Sequence, residues 1–293
     1  MNWAFVTPSY IGDLERCKLL CRSMDRFLTG PWHHYIIVDR PHFEAFKHLT
    51  GSRRSVWLTE ETAPSGMRRL FNLPFVGGRS VWWSKDTGLS IGWHLQQMIK
   101  IGIAEKLSED GVAYCDSDMF FLRPFDVSQL EQQGRIRLYR TANRLGLDKI
   151  ANPKYVNACL DILKLQPSTS GHYSYVDNFV TWHRPTVLEL CRHLATLNGG
   201  KWHRVLRNRL QFSEYALYGM FVDDVQRTNP NIWPIFQHLC STHWTRSVMS
   251  PQEVEAFCTN LAPGVVSVGV QSFAGVDVAL LVRQFEKASQ TQA

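Results

Sequence analysis

Two aspartates one residue apart, Asp116 and Asp118 in the stretch GVAYCDSDMFFLRPF, stand directly after one apolar run and directly before another. Like charges placed side by side repel unless a cation holds them. An oxygen-rich pair at a strand end suits an octahedral Mg2+ or Mn2+, whose other positions are filled by water and diphosphate oxygens. A solvated turn with a helix-capping aspartate is the plainer reading, and the triplet alone does not separate the two.

Other residues carry compatible chemistry. Gln96, Gln97 and Lys100 fall on one helical edge, which puts an amide beside an ammonium. Lys100 there either neutralises a phosphate or faces solvent. Asp39 closes a short apolar run, where it accepts from a nucleobase or ribose or else serves a turn. His243, in CSTHWTR, offers a neutral imidazole as a third ligand to a transition ion. Glu214 and Tyr215 enter the otherwise apolar FSEYALYG. A glutamate at that point is either a favourable first-turn charge or a site carboxylate.

The elements that must position these groups read as alternating strands and helices. WAFVTPSY is a strand that breaks at Pro8, and Leu14, Cys17, Leu20, Cys21 and Met24 recur at helical spacing. HHYIIVDR is a second strand, PHFEAFKHL a helix and SVWLTE a third strand. This alternation predicts an α/β fold with a mostly parallel central sheet flanked by helices. From Ala63 to Gly92 no clean period is visible, and a long irregular segment is expected there. Leu95, Met98, Ile99, Ile103 and Leu107 restore a helix. VAYC then delivers the paired aspartates to the carboxyl end of a strand, where open α/β sheets bind ligands. Downstream, RIRLYR and VVSVGVQS read as strands and Pro167 to Asn178 as a loop. A helix should follow Pro185, another should be capped by Ser213, and SPQE at Ser250 to Glu253 marks a third helix start. VDVALLVRQFEKA is a terminal helix, and KASQTQA is expected to be disordered.

Composition bounds the answer loosely. The 293 residues suffice for one large domain or two small ones. An excess of 32 Lys+Arg over 26 Asp+Glu gives a formal charge of +6, which favours nucleotides, acidic lipid headgroups or nucleic acid as partners. The 7 cysteines include no C-x-x-C pair and read as small core residues in a reducing cytosol. No run approaches the ~20 apolar residues that cross a bilayer, and MNWAFVTPSYIGD lacks the pattern of a secretory leader. The expected location is cytoplasmic.

Taken in order, the β-α opening with FVTPSY, the aspartate after the second strand, QQxxK, DSDxxF, SEYxLYG and a late histidine resemble the GT-A-fold nucleotide-sugar glycosyltransferases. Among these they resemble a bacterial family of uncharacterised DXD-bearing members. The resemblance runs from about residue 3 to about residue 275, with no counterpart found for Asn143 to Asp177. It implies a single GT-A-like, Rossmann-like domain over 1–293. Residues 1–125 would form a nucleotide-sugar-binding half, 126–275 an acceptor-binding half, and 276–293 a C-terminal helix and tail. The activity implied is transfer of a sugar from a nucleoside diphosphate, uridine favoured, to a saccharide or lipid-linked saccharide. Such transfer belongs to bacterial surface-polysaccharide synthesis, lipopolysaccharide included, with Mn2+ or Mg2+ bridging the diphosphate and the DXD motif.

Residue by residue, the resemblance places Thr7, Pro8 and Tyr10 on the nucleoside and Asp39 on base or ribose. Gln97 and Lys100 fall at the diphosphate, Asp116 at ribose or metal, and Asp118 and His243 on the metal. Glu214 falls where inverting members keep a base, with Asp177 as the second candidate. Contact with the inner face of a membrane fits the positive charge. Two other classes compete. A haloacid-dehalogenase-like phosphatase also uses D-x-D with Mg2+, but wants a small residue and a threonine where Met119 and Phe120 stand. A basic RNA-binding module would use Arg53, Arg54, Arg68, Arg69, Arg204, Arg207 and Arg209, without any recognised RNA motif.

Overall fold

The computed structural model describes residues 1–73, 79–142, 153–167, 173–207, 209 and 211–291. The principal strands are β1 (Trp3–Pro8), β2 (Trp32–Val38), β3 (Arg54–Leu58), β4 (Arg68–Leu73), β5 (Arg79–Ser84), β6 (Gly88–Ile91) and β7 (Gly111–Cys115). They continue as β8 (Met119–Phe121), β9 (Arg135–Tyr139), β10 (Phe179–His183), β11 (Ile232–Ile235), β12 (Cys240–His243) and β13 (Ser267–Val270). The principal helices are α1 (Leu14–Phe27), α2 (Phe43–Lys47), α3 (Gly92–Gly102), α4 (Pro153–Leu163) and α5 (Arg184–Leu197). After them come α6 (Glu214–Met220), α7 (Pro251–Thr259) and α8 (Val278–Thr291).

The chain is mixed α/β. Its largest sheet has the order β10-β7-β1-β2-β3. Within it β7, β1, β2 and β3 run parallel, and β10 lies antiparallel to β7. The remaining sheets are small and separate: β4-β5-β6 is antiparallel, and β12-β13-β8 is mixed. The sheets are thus less uniform than one mostly parallel sheet, because the chain leaves β7 at Cys115, turns through the paired aspartates and starts a new sheet at β8.

Both faces of the largest sheet are covered. Along β1, Ala4 and Val6 join one apolar cluster while Trp3 and Phe5 join another, and along β7 Val112 and Tyr114 part from Ala113 and Cys115 in the same way. That explains why these strands read as unbroken apolar runs rather than alternating ones. In the first cluster, Tyr114 and Trp182 meet at 4.6 Å, and Trp182 stacks on Tyr218. In the second, Phe121 packs edge-on against Phe179. Each such ring contributes about 1.5–3 kcal/mol by leaving water.

Most expected elements are present at the expected places, with two corrections. The described residues between Ala63 and Gly92 are not an irregular segment, since they form β4, β5 and β6, while 74–78 lie outside the described residues. A register shift between Arg69 and Phe71 breaks the two-residue alternation that would have announced β4. The tail KASQTQA is helical through Thr291, because α8 lays Leu281 and Phe285 against the second cluster. All 7 cysteines are buried and unpaired. No helix among the described residues is long and apolar enough to cross a membrane.

Candidate functional site

Strand β7 ends at Cys115, and the next three residues turn the chain into β8. The Met119 amide donates to the Asp116 carbonyl at 3.2 Å and closes that turn. The Val270 amide donates to the Asp118 carbonyl at 3.0 Å, which ties the second aspartate to the end of β13. The carboxylate of Asp118 is buried. Its Oδ2 accepts from the Ser272 amide at 3.2 Å, while Oδ1 has no hydrogen-bond partner. Burial, reinforced by the charges of Asp116 and Asp13, pushes its pKa up to about 7. An unsatisfied buried carboxylate oxygen of this kind is costly without a cation or a proton.

Asp116 is held differently. Lys100, on the last turn of α3, donates to Asp116 Oδ1 at 3.0 Å and to the Tyr215 hydroxyl at 2.7 Å, and lies 3.2 Å from Glu214 Oε1. Burial opposes the ammonium charge, but Asp116, Tyr215 and Glu214 outweigh it and hold the Lys100 pKa well above its ordinary value. Burial likewise raises the pKa of Glu214, and Lys100 offsets part of that rise. Gln97 Oε1 accepts from the Glu214 amide at 3.2 Å, and Ser213 caps α6 by accepting from the Ala216 amide.

The three sequence motifs therefore meet in one network: QQxxK supplies Gln97 and Lys100, DSDxxF supplies Asp116, and SEYxLYG supplies Ser213, Glu214 and Tyr215. The closing glycine of the last motif is steric. A Cβ on Gly219 would stand 2.2 Å from the Tyr175 ring.

This network forms one wall of a cavity of about 610 Å3. Of the residues expected at a site, Pro8, Tyr10, Lys100, Asp116, Asp118, Asp177 and Glu214 line it. Asp177 is buried beside them. Its Oδ1 accepts from the Asn178 amide at 2.8 Å, its Oδ2 has no partner, and burial pushes its pKa up to about 8. Asp39 lines a smaller adjoining pocket of about 60 Å3, which shares Pro8, Tyr10 and Gln96 with the main cavity. There its carboxylate accepts from Ser80.

Three expected residues are placed elsewhere. Thr7 is wholly buried, with its hydroxyl donated to the Cys115 carbonyl at 2.7 Å, so it ties β1 to β7 instead of facing the cavity. Gln97 is also wholly buried, and its amide carbonyl is used to seat α6. His243 is not on the cavity wall, and its Nε2 lies 2.9 Å from the Ser247 carbonyl oxygen. Its neighbours Trp244, Thr245 and Arg246 do line the cavity.

Other wall residues were not anticipated. Asp13 accepts from the Ser117 hydroxyl at 3.3 Å, and Ser272 holds Asp118 through a backbone amide, which no side-chain pattern announces. Trp93 and Tyr155 meet at 5.3 Å, and the Arg246 guanidinium lies 5.2 Å from the centre of Phe273, so aromatic rings stand at the cavity wall. Trp93 had a readable signal, since it stands in the first turn of the helix that bears QQxxK.

Among the described residues no group of three or more His, Cys, Asp or Glu side chains is placed to hold a metal ion. Two carboxylates are nevertheless a sufficient protein contribution where a diphosphate supplies further oxygens. The unpartnered oxygen of Asp118 and the all-oxygen donors around it fit a hard divalent cation. No curated protein matches the chain. Residues 5–286 match the family of unknown function DUF6492, and the chain belongs to that family.

Proposed function

We propose that the chain is a divalent-metal-dependent glycosyltransferase that moves a sugar from a nucleoside diphosphate to a saccharide or lipid-linked saccharide. One observation carries this reading: Asp116 and Asp118 line one cavity with Lys100, Asp177 and Glu214, which come from other parts of the sequence, and with Pro8 at the end of β1. That is the ligand-binding end of a parallel sheet. The parallel strands β7, β1, β2 and β3 support a GT-A-like arrangement for the same reason.

In this reading Asp118 and Asp116 would hold Mn2+ or Mg2+, which would supply positive charge for the leaving diphosphate. The nucleoside lies in the main cavity beside Pro8 and Tyr10, with Asp39 reached through the small adjoining pocket that shares those two residues. The bond from the anomeric carbon to the diphosphate oxygen breaks, and a bond from the acceptor oxygen to that carbon forms. The acceptor hydroxyl gives up its proton to a carboxylate. Sequence order favoured Glu214 for that task, but its Oε1 is engaged by Lys100. Asp177 keeps an unpartnered oxygen, and burial raises its pKa to about 8, which makes it a stronger proton acceptor than an ordinary carboxylate, so it is the preferred base. Lys100 fixes Asp116 and Glu214 and places positive charge at the wall near the diphosphate.

The test is a thermal-shift series with uridine, guanosine, adenosine and cytidine diphosphates, each with and without Mn2+, followed by assay of nucleotide release from the matching sugar nucleotides. A metal-dependent shift with one base, and release of that nucleotide, is expected. No shift with any nucleotide in the presence of Mn2+ would remove the reading.

A further inference from the structure

The three-stranded sheet β4-β5-β6 presents an apolar outer face. Its register aligns Arg68, Trp83 and Leu89 in one row across the strands, and Phe71, Val81 and Ile91 in the next row of the same face. The opposite face carries Trp82 and Ser90, both buried against the body of the protein. On the outer face Phe71 is 55%, Leu89 58% and Trp83 44% exposed, with Ile91 also exposed, while the central Val81 is buried. Leu70, at the register shift of β4, and Trp93, just beyond β6, are exposed as well. A contiguous patch of this kind, unlike scattered surface leucines, marks a contact surface.

Charge identifies what the face meets. Arg68 ends one apolar row and is exposed, and Lys85 is exposed in the turn that joins β5 to β6. In the same turn Asp86 is shared by Lys201 and Arg204, whose side chains are both nearly half exposed. Two cations thus hold the one carboxylate at the tip of the apolar hairpin, and the adjacent Lys85 is left exposed beside them. Tryptophan flanked by lysine and arginine is the side-chain chemistry of a bilayer interface, where the ring sits at headgroup depth and the cations meet phosphates. The face also runs into the candidate site, because Trp93 follows Ile91 and lines the cavity.

We infer that the outer face of β4-β5-β6 docks the protein on an anionic lipid bilayer, with Trp83, Leu89 and Phe71 entering the headgroup region and Arg68 and Lys85 on lipid phosphates. The inference does not depend on sugar transfer. Docking in this orientation sets the Trp93 side of the cavity towards the lipid surface.

Co-sedimentation of the full chain with vesicles of phosphatidylglycerol and phosphatidylcholine in roughly equal parts, against vesicles of phosphatidylcholine alone, tests it. Binding to the anionic vesicles is expected, with strong weakening near ~0.5 M NaCl. The Trp83→Ser/Leu89→Ser and Arg68→Glu/Lys85→Glu variants should each bind about tenfold or more weakly. Lipids brominated in the acyl chains should quench part of the wild-type tryptophan emission. The conservative Trp83→Phe variant should lose that part, which keeps the test independent of how well the double variants fold. Wild-type binding that neither double variant weakens, or no binding to anionic vesicles, would overturn the inference. So would a dimer in lipid-free solution that Trp83→Ser/Leu89→Ser dissociates, since the face would then belong to a second copy of the chain.

Discussion

Lys100 Nζ lies 3.2 Å from Glu214 Oε1 with both side chains nearly wholly buried. Such a pair adds little beyond what well-packed apolar residues would give, yet breaking it strands a charge in the interior. Lys100→Met should therefore lower stability by about 3 kcal/mol or more in urea denaturation, because Glu214 and Asp116 lose their shared cation. The double variant Lys100→Met/Glu214→Gln should recover part of that loss. Strict additivity of the two single changes would show that the pair is not energetically coupled.

Asp118 separates a binding role from a structural one. Its carboxylate is buried, one of its oxygens has no partner, and its pKa is raised to about 7. Removing that charge relieves the metal-free protein. Asp118→Asn should then melt at the same temperature as the wild type or higher in EDTA, and should lose the added stability that Mn2+ with nucleotide gives the wild type. A variant that unfolds in EDTA, or that keeps the full Mn2+-dependent shift, would remove Asp118 from the cation site.

Stability depends on pH through Asp177. Burial raises its folded pKa to about 8, well above the ordinary carboxyl value. The folded state therefore holds a proton that the unfolded state has released, and stability falls as pH rises from about 4 to about 8. Buried histidines act oppositely: His94, lowered to about 4 by burial, and His34, also lowered, favour folding as pH rises towards 6.5. The two effects overlap below neutrality and part above it. Asp177→Asn should thus gain on the wild type progressively up to about pH 8, read as the difference in denaturant midpoint. A constant difference across that range would mean that Asp177 titrates normally.

Much of this architecture is legible in residue order, and the reasons are local. Ser213 and the Ser250–Glu253 capping box announce their helices because a cap is a short-range hydrogen bond between neighbours. QQxxK and DSDxxF announce a site because their spacing puts polar groups where a helix or strand would otherwise be apolar. What could not be read depends on contacts across the chain. Ser272 reaches Asp118 through a backbone amide 154 residues away, and Thr7 turns from a nucleoside contact into a strand tie because the Cys115 carbonyl lies beside it. The β4-β5-β6 sheet was hidden because its outer face is apolar where a strand on a protein surface should alternate. Local pattern cannot distinguish that from irregular chain.

The aromatic wall should govern acceptor binding without touching the nucleotide. Trp93 is half-exposed and packs its ring on Tyr155 at the wall of the main cavity, and it does not line the small pocket at Asp39. Apolar faces of sugar rings stack on such surfaces. Trp93→Ala should raise the acceptor KM by about tenfold, comparable to losing one aromatic contact, while nucleotide affinity stays unchanged. A matching loss of nucleotide affinity would place Trp93 on the donor side instead.

The base can be assigned by comparing two amide substitutions that keep shape. Asp177→Asn leaves the hydrogen bond from the Asn178 amide possible and removes only the ability to take a proton. If Asp177 is the base, kcat should fall about 100-fold or more with donor affinity little changed, and the acidic limb of the kcat/KM profile should disappear. Glu214→Gln acts on a different group. It removes the partner of Lys100, so it should weaken nucleotide binding and stability together while the pH profile keeps its shape. The reverse pattern, a flattened profile in Glu214→Gln and a preserved one in Asp177→Asn, would return the base to Glu214 and leave Asp177 as a buried acid that only shapes the wall.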